Sequence, residues 1–215
     1  MKILISVLTY LDDDIYSKFY EVQNKTWDSL DVDNVETFYY VGNGDKKEVL
    51  GKLVINDLPE LVENEGYKFI NFLTQTFDKE YDYVYHTNSS SYVDKELLYE
   101  WLLDKPRDNF YSGVIGDWGG YNFASGCGFT LSKDLVKLIL DNQDMWSHGD
   151  VDDATLGVMM NHLGKTVYPA PRFDITTTKI TTIPTNYFHY RCKTIDRNFD
   201  IESMIKIFDL KKSKI

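Results

Sequence analysis

The 215-residue chain has only two cysteines, Cys127 and Cys192, far apart in sequence. They build neither a disulfide framework nor a zinc set, which points to a reducing cytoplasm, with a single bridge between them left open. Basic charge is scarce: 23 Lys and Arg stand against 34 Asp and Glu, a formal net charge of -11. That balance argues against a general affinity for nucleic acid or anionic lipid, both of which need basic patches. An anionic ligand has to be met by a local cationic pocket. Long apolar runs are missing too, since a membrane span needs about 18 or more apolar residues. The longest apolar windows, such as that around residues 135–140, carry lysine and aspartate. The apolar start soon meets Asp12-Asp13-Asp14 and has no small-residue cleavage site, so it reads as a buried strand, not a signal peptide. There is no GxGxxG, P-loop lysine motif, Gly-x-Ser-x-Gly elbow or HExxH, which removes the common dinucleotide, NTPase, hydrolase and zincin readings.

What is present, 43% hydrophobic and 27% charged residues, describes one ordinary globular domain over 1–215. Residues 2–8, 36–42, 52–55 and 81–87 read as strands. Residues 17–30 and 58–77 carry helical spacing, the second through Leu61, Tyr67, Ile70, Leu73 and Phe77. Further helices are expected over 95–103, over 132–140 with Ser132 as N-cap, over 152–163 with Gly164 as stop, and near 201–210. The threonine-rich tail after Pro169 reads as extended or loop structure. Strands alternating with helices predict an α/β domain with a mostly parallel central sheet flanked by helices.

Four segments could carry chemistry. His86-Thr87-Asn88-Ser89-Ser90-Ser91-Tyr92-Val93-Asp94 ends a buried strand, where ligands bind in open α/β sheets, though a plain strand-to-helix turn explains it as well. Ala124-Ser125-Gly126-Cys127-Gly128-Phe129, preceded by Asp117-Trp118-Gly119-Gly120-Tyr121, allows close backbone approach with aromatics at hand, or is simply a tight turn and a core strand. Asp150-Val151-Asp152-Asp153 opens a helix that needs one cap, leaving a spare carboxylate able to act as a general base. His189-Tyr190-Arg191-Cys192-Lys193 packs an imidazole and two cations into an acidic protein, or is a solvated surface run.

Taken in order, these pieces resemble the Fringe-like and beta-1,3-galactosyltransferase family of GT-A glycosyltransferases across roughly residues 2–193. Glu21-Val22-Gln23-Asn24-Lys25-Thr26-Trp27, Phe38-Tyr39-Tyr40-Val41-Gly42 and Tyr67 to Thr74 look like successive family segments. Ala124-Ser125-Gly126-Cys127-Gly128-Phe129-Thr130-Leu131-Ser132 resembles the family's Ala-Ser-Gly-Gly-x-Gly-Tyr motif with one residue fewer, and Asp152-Asp153-Ala154-Thr155-Leu156-Gly157 its Asp-Asp-x-Thr-x-Gly.

The resemblance implies a Rossmann-like GT-A domain that transfers a sugar, with inversion, from a nucleotide-sugar donor, UDP-linked, to a glycan or glycoconjugate hydroxyl. Asp153 maps onto the catalytic base, with Asp152 beside it. Tyr10, Asp12 and Trp27 fall near the nucleotide, Asn88 and Ser90 near the ribose and diphosphate, and Trp118, Tyr121 and Gly126 near the acceptor. The family's DxD carboxylates bridge Mn or Mg to the diphosphate, but here Asn88, Ser89 and Ser90 stand in their place, which weakens such binding. His189 is the counterpart of the metal histidine, without carboxylate partners. Arg191 and Lys193 are the candidates to supply the positive charge instead. The alternative is a degenerate module that binds glycan or nucleotide sugar without transfer. With neither anchor nor stem in view, a cytoplasmic setting is expected.

Overall fold

A computed structural model describes residues 1–45, 47–148, 151–179 and 181–213. The chain opens on β1 (Ile3–Leu8), then α1 (Asp14–Lys25), a 3-10 turn at Trp27–Ser29, and β2 (Val35–Val41), β3 (Glu48–Leu50) and β4 (Leu53–Ile55). Next come α2 (Glu65–Thr76), β5 (Tyr83–Asn88), β6 (Ser91–Val93), α3 (Lys95–Leu102), β7 (Tyr111–Trp118), β8 (Tyr121–Ser132) and α4 (Lys133–Asp141). The chain closes with α5 (Asp152–His162), β9 (Val167–Pro169), β10 (Phe173–Ile175), β11 (His189–Cys192) and α6 (Arg197–Lys212).

Eight strands form one sheet in the order β3-β4-β2-β1-β5-β8-β7-β9, and β10-β11-β6 form a second, smaller one. The centre of the large sheet, β4-β2-β1-β5, is parallel throughout, while β8 joins β5 and β7 antiparallel. This is the flanked, largely parallel sheet expected from the alternation of elements. Strand β1 shows why its sequence is apolar without a break. Ile3, Ile5 and Val7 belong to a core shared with α1, α3 and α6, and Leu4 and Leu8 to one shared with α2, α4 and α5. Successive side chains point to opposite faces, and both faces are covered.

Local expectations hold best where the period is long and unbroken, as in β1, β2, α3 and α5. Helix α2 is shorter than expected, beginning at Glu65 after a 3-10 turn at Val62–Asn64. Its inward face is Phe69, Ile70, Phe72 and Leu73, whereas Leu61 and Tyr67 are exposed. Ser132 occupies the N-cap of α4 without capping it, because its hydroxyl is spent on Asp134 and on the Phe110 amide. The segment after β5 is not a bare turn into a helix: β6 intervenes, and Asp94 caps α3. Strand β7 was not foreseen, and Asp117 to Tyr121 are the tip of the β7–β8 hairpin. Gly119 and Gly120 sit at φ 60° and 89°, the positive values that a two-residue hairpin turn demands. Both cysteines are free thiols. Asp150 lies outside the described residues.

A buried ion pair joins the 3-10 turn at Trp27–Ser29 to the first residue of α3. Asp28 and Lys95, both nearly inaccessible, lie 3.3 Å apart, with Lys52 reaching the same carboxylate at 3.1 Å. Helix α5 packs closely on β8 because position 157 is glycine: a Cβ there would lie 2.2 Å from Phe123 Cβ and 2.8 Å from its Cα. Alanine normally stabilises a helix interior by about 0.5–1 kcal/mol over glycine. Here the sign should reverse, and Gly157→Ala is expected to lower stability by about 1–3 kcal/mol in urea unfolding, because the two elements must separate.

Candidate active site

A cavity of about 490 Å³ opens at the C-terminal ends of β1 and β5, lined by Leu8, His86 and Asn88 from the strands, Glu65 and Phe69 from α2, Gly126 from β8, and Asp152 and Asp153 from α5. Its wall also includes Tyr40, Phe129 and Trp146. Ligands collect at such strand ends because the helices that follow the strands leave a crevice there.

The local structure of β8 makes the rim. Gly113 pairs with Phe129 and Ile115 with Ala124, so Ser125, Gly126, Cys127 and Gly128 all stand opposite the single residue Val114. This bulge releases backbone groups from the β7 ladder. The Gly126 N–H donates to Asp153 Oδ2 at 2.5 Å, and the Cys127 carbonyl accepts from Thr87 Oγ1 at 2.7 Å and Ser91 Oγ at 3.2 Å. A Cβ at position 126 would lie 3.1 Å from Asp153 Cβ and Oδ2.

On the opposite rim, Gln23 of α1 is fully buried and its Nε2 donates to the carbonyls of Asn88, Ser89 and Ser91, at 3.2, 3.2 and 2.9 Å. Asn88 Oδ1 accepts from the Ser90 N–H at 3.1 Å. Ser89 Oγ donates to the Leu8 carbonyl at 3.1 Å and lies 3.1 Å from the Thr9 hydroxyl, and Ser90 Oγ accepts from Arg197 Nη2 at 2.9 Å. The side chains of Asn88, Ser89 and Ser90 are thus neutral and engaged with the protein. His189 is buried with Nε2 3.0 Å from Ser91 Oγ, and burial, reinforced by Arg172 and Arg191, pushes its pKa down. Among the described residues no group of three or more His, Cys, Asp and Glu side chains could hold a metal ion. These residues do not fit a divalent cation.

The ionisable groups inside the cavity are acidic. Burial, with Glu65 and Asp153 nearby, pushes the Asp152 carboxyl up to about 7 against the opposing pull of the Gly66 amide, and both of its oxygens are buried. Burial also raises Glu65, whose Oε1 accepts from the Tyr10 hydroxyl. Burial lowers His86 to about 3, so its imidazole is neutral at pH 7. The neighbouring cation Lys68 is committed to Glu60.

Of the residues selected from the sequence, the structure brings Asn88, Gly126, Asp152 and Asp153 to one cavity. Tyr10 adjoins it through Glu65, while Asp12 is exposed and accepts from Asn43 at 2.5 Å. Ser90 and Arg191 lie across β6 and β11, where Arg191 pairs with Ser91, and Lys193 is exposed beyond them. Trp27 is different: it is 1% exposed in the core and offers no face to a ligand. Tyr121 contacts His162, at the end of the eleven-residue α5 opposite Asp153. His162 is nine residues from Asp153, about 13.5 Å along the helix at 1.5 Å per residue, and neither Tyr121 nor Trp118, paired with it, lines the cavity.

Glu65, Gln23, Arg172 and Arg197 were missed. Arg172 binds Asp174 and donates to Ser125 Oγ at 3.0 Å, one residue from Gly126. A signal existed: the chain has four arginines, and three of them, Arg172, Arg191 and Arg197, come to this region.

The fold that carries this cavity is that of the GT-A glycosyltransferases. The crystal structure of a glycosyltransferase involved in glycosylation of the major capsid of PBCV-1 superposes with a TM-score of 0.58 at 14% identity, covering 96% of this chain and 100% of that one. Galactosyltransferase LgtC, in complex with donor and acceptor sugar analogs, gives 0.54 at 16% identity over 98% and 96%. In sequence, the UDP-GalNAc:beta-1,3-N-acetylgalactosaminyltransferase 2 of Homo sapiens is 23% identical over 144 residues, 58% of this chain; the chain spans 29% of that protein's length. No family model matches.

The raised Asp152 has a pH signature. Between its ordinary value of 3.8 and about 7 the folded state holds a proton that the unfolded state has released, so this carboxyl makes stability fall as pH rises through that window. Asp152→Asn is therefore expected to raise the thermal midpoint by a few degrees at pH 8 and by clearly less at pH 5, as read by scanning calorimetry at both pH values.

Proposed function

We propose that the chain is an inverting glycosyltransferase that moves a sugar from a nucleotide-sugar donor, UDP-linked, to a glycan hydroxyl, with Asp153 as general base. The observation that carries this reading is the meeting of Asp153, Gly126 and Asn88 in one cavity at the strand ends of a glycosyltransferase fold. The Gly126 amide holds Asp153 Oδ2, fixing the carboxylate at the cavity wall. In the proposed step Asp153 takes the acceptor proton as the acceptor oxygen bonds to the anomeric carbon. The bond from that carbon to the diphosphate oxygen breaks on the opposite face, and the diphosphate leaves with the electron pair. Arg191 and Lys193 stand on the side from which its charge is met, and Asp152, protonated over part of the neutral range, keeps the cavity from carrying a third full negative charge. The Fringe-like motifs support the same assignment of Asp153, and the human relative's printed donor supports UDP.

A second reading has its own observation: Asp153 lies in the first turn of α5 and its Oδ1 accepts from the Ala154 N–H at 2.9 Å, which is what a purely structural acid there would do. The variant Asp153→Asn separates the two. Under the catalytic reading, donor binding by calorimetry persists while transfer, or slow donor hydrolysis, falls by about 10²–10⁴-fold. Under the binding-module reading only about 1 kcal/mol of stability is lost. Full transfer activity in Asp153→Asn would remove the residue from the chemistry.

A further inference from the structure

We infer that Arg197, with Arg191 beside it, forms a diphosphate subsite that works without a divalent cation, its guanidinium standing at the Ser90 turn where a carboxylate-held metal would otherwise be required. The inference rests on the nucleotide-sugar reading and adds to it the first residue of α6, which lies just beyond the His189-to-Lys193 segment and in no motif.

The geometry begins with what Arg197 is held by. Its Nη1 donates to the Asp200 carboxylate and to the Cys192 carbonyl at 3.3 Å, and its Nη2 to Ser90 Oγ at 2.9 Å. The guanidinium lies 4.5 Å over the Phe19 ring, so it is fixed on two sides. A guanidinium has five N–H donors. Among the described residues the Nε hydrogen and one Nη2 hydrogen take no partner, and a quarter of the side chain remains exposed. A planar fork with spare, oriented donors is what a phosphate oxygen pair binds.

Net charge comes from its neighbour. Asp200 offsets Arg197, and Asp174 offsets Arg172. Arg191 makes no ion pair among the described residues, and its Nε is buried without a hydrogen-bond partner. It shares a face of β11 with His189, two residues away, whose ring meets Ser91 next to Ser90. An anion lying along Ser90 therefore meets directed donors from Arg197 and uncompensated charge from Arg191. The alternative place for a diphosphate, the cavity floor, is lined by Glu65, Asp152 and Asp153 and repels it.

The test compares UDP with uridine by calorimetry, in EDTA and in manganese, with inorganic pyrophosphate as a base-free competitor. Wild type is expected to prefer UDP over uridine equally in both buffers, and pyrophosphate to displace UDP. Ser90→Asp puts a carboxylate against Arg197 while leaving α6 and Asp200 untouched. It should reduce the UDP-over-uridine ratio by roughly tenfold or more. Thermal unfolding checks that the variant folds. A manganese requirement for UDP overturns the inference while leaving the transfer reading intact, as does a ratio unchanged in Ser90→Asp. UDP binding in EDTA with no transfer to any acceptor keeps the subsite and removes the enzyme. Failure of UDP to bind in either buffer overturns both.

Discussion

One buried amide holds the candidate site in shape. The turn that leaves β5 directs several backbone carbonyls into the interior, where water cannot reach them, and a carbonyl left without a donor there costs about 1–3 kcal/mol. Gln23 satisfies three of them from a single nitrogen. That contact ties α1 to the end of the sheet and fixes the direction of the turn, so Asn88 faces the cavity and Ser90 faces away from it, toward Arg197.

The turn and the β8 bulge also divide charge. On one side lie Glu65, Asp152 and Asp153 among aromatic walls, and on the other Arg172, Arg191 and Arg197 among serines. In a protein of net charge -11 such a separation needs anchoring, because each arginine is drawn to the nearest carboxylate. Asp174 and Asp200 provide the anchors, holding two guanidiniums by one edge and leaving Arg191 as the uncompensated charge.

Much of the central fold was legible in the sequence, because β1, β2, β5, α3 and α5 each carry an unbroken period that both faces of a covered sheet impose. Strand β7 was not, since Gly113, Gly116 and Asp117 interrupt its pattern and its stability comes from pairing with β8. The small sheet β10-β11-β6 was equally hidden: its strands are three or four residues long and become strands only by pairing, β10 with β11 17 positions later and β6 with β11 96 to 100 positions later. Of the residues singled out by motif, Asn88, Gly126 and Asp153 line one cavity. Trp27 is packed in the core, and Trp118 and Tyr121 belong to a hairpin tip. Arg172 and Arg197 escaped because a lone arginine in a loop or at a helix start carries no period, only a charge.

The bulge in β8 bears on how such a chain can drift in length. Residues 125–128 lie opposite one residue of β7, so strand pairing on either side is already decoupled from the number of residues between. An insertion or deletion inside that stretch reshapes the rim while Phe129 stays on Gly113 and Ala124 on Ile115. A change of length there falls in the part of a core strand that can absorb it without turning every later side chain to the wrong face.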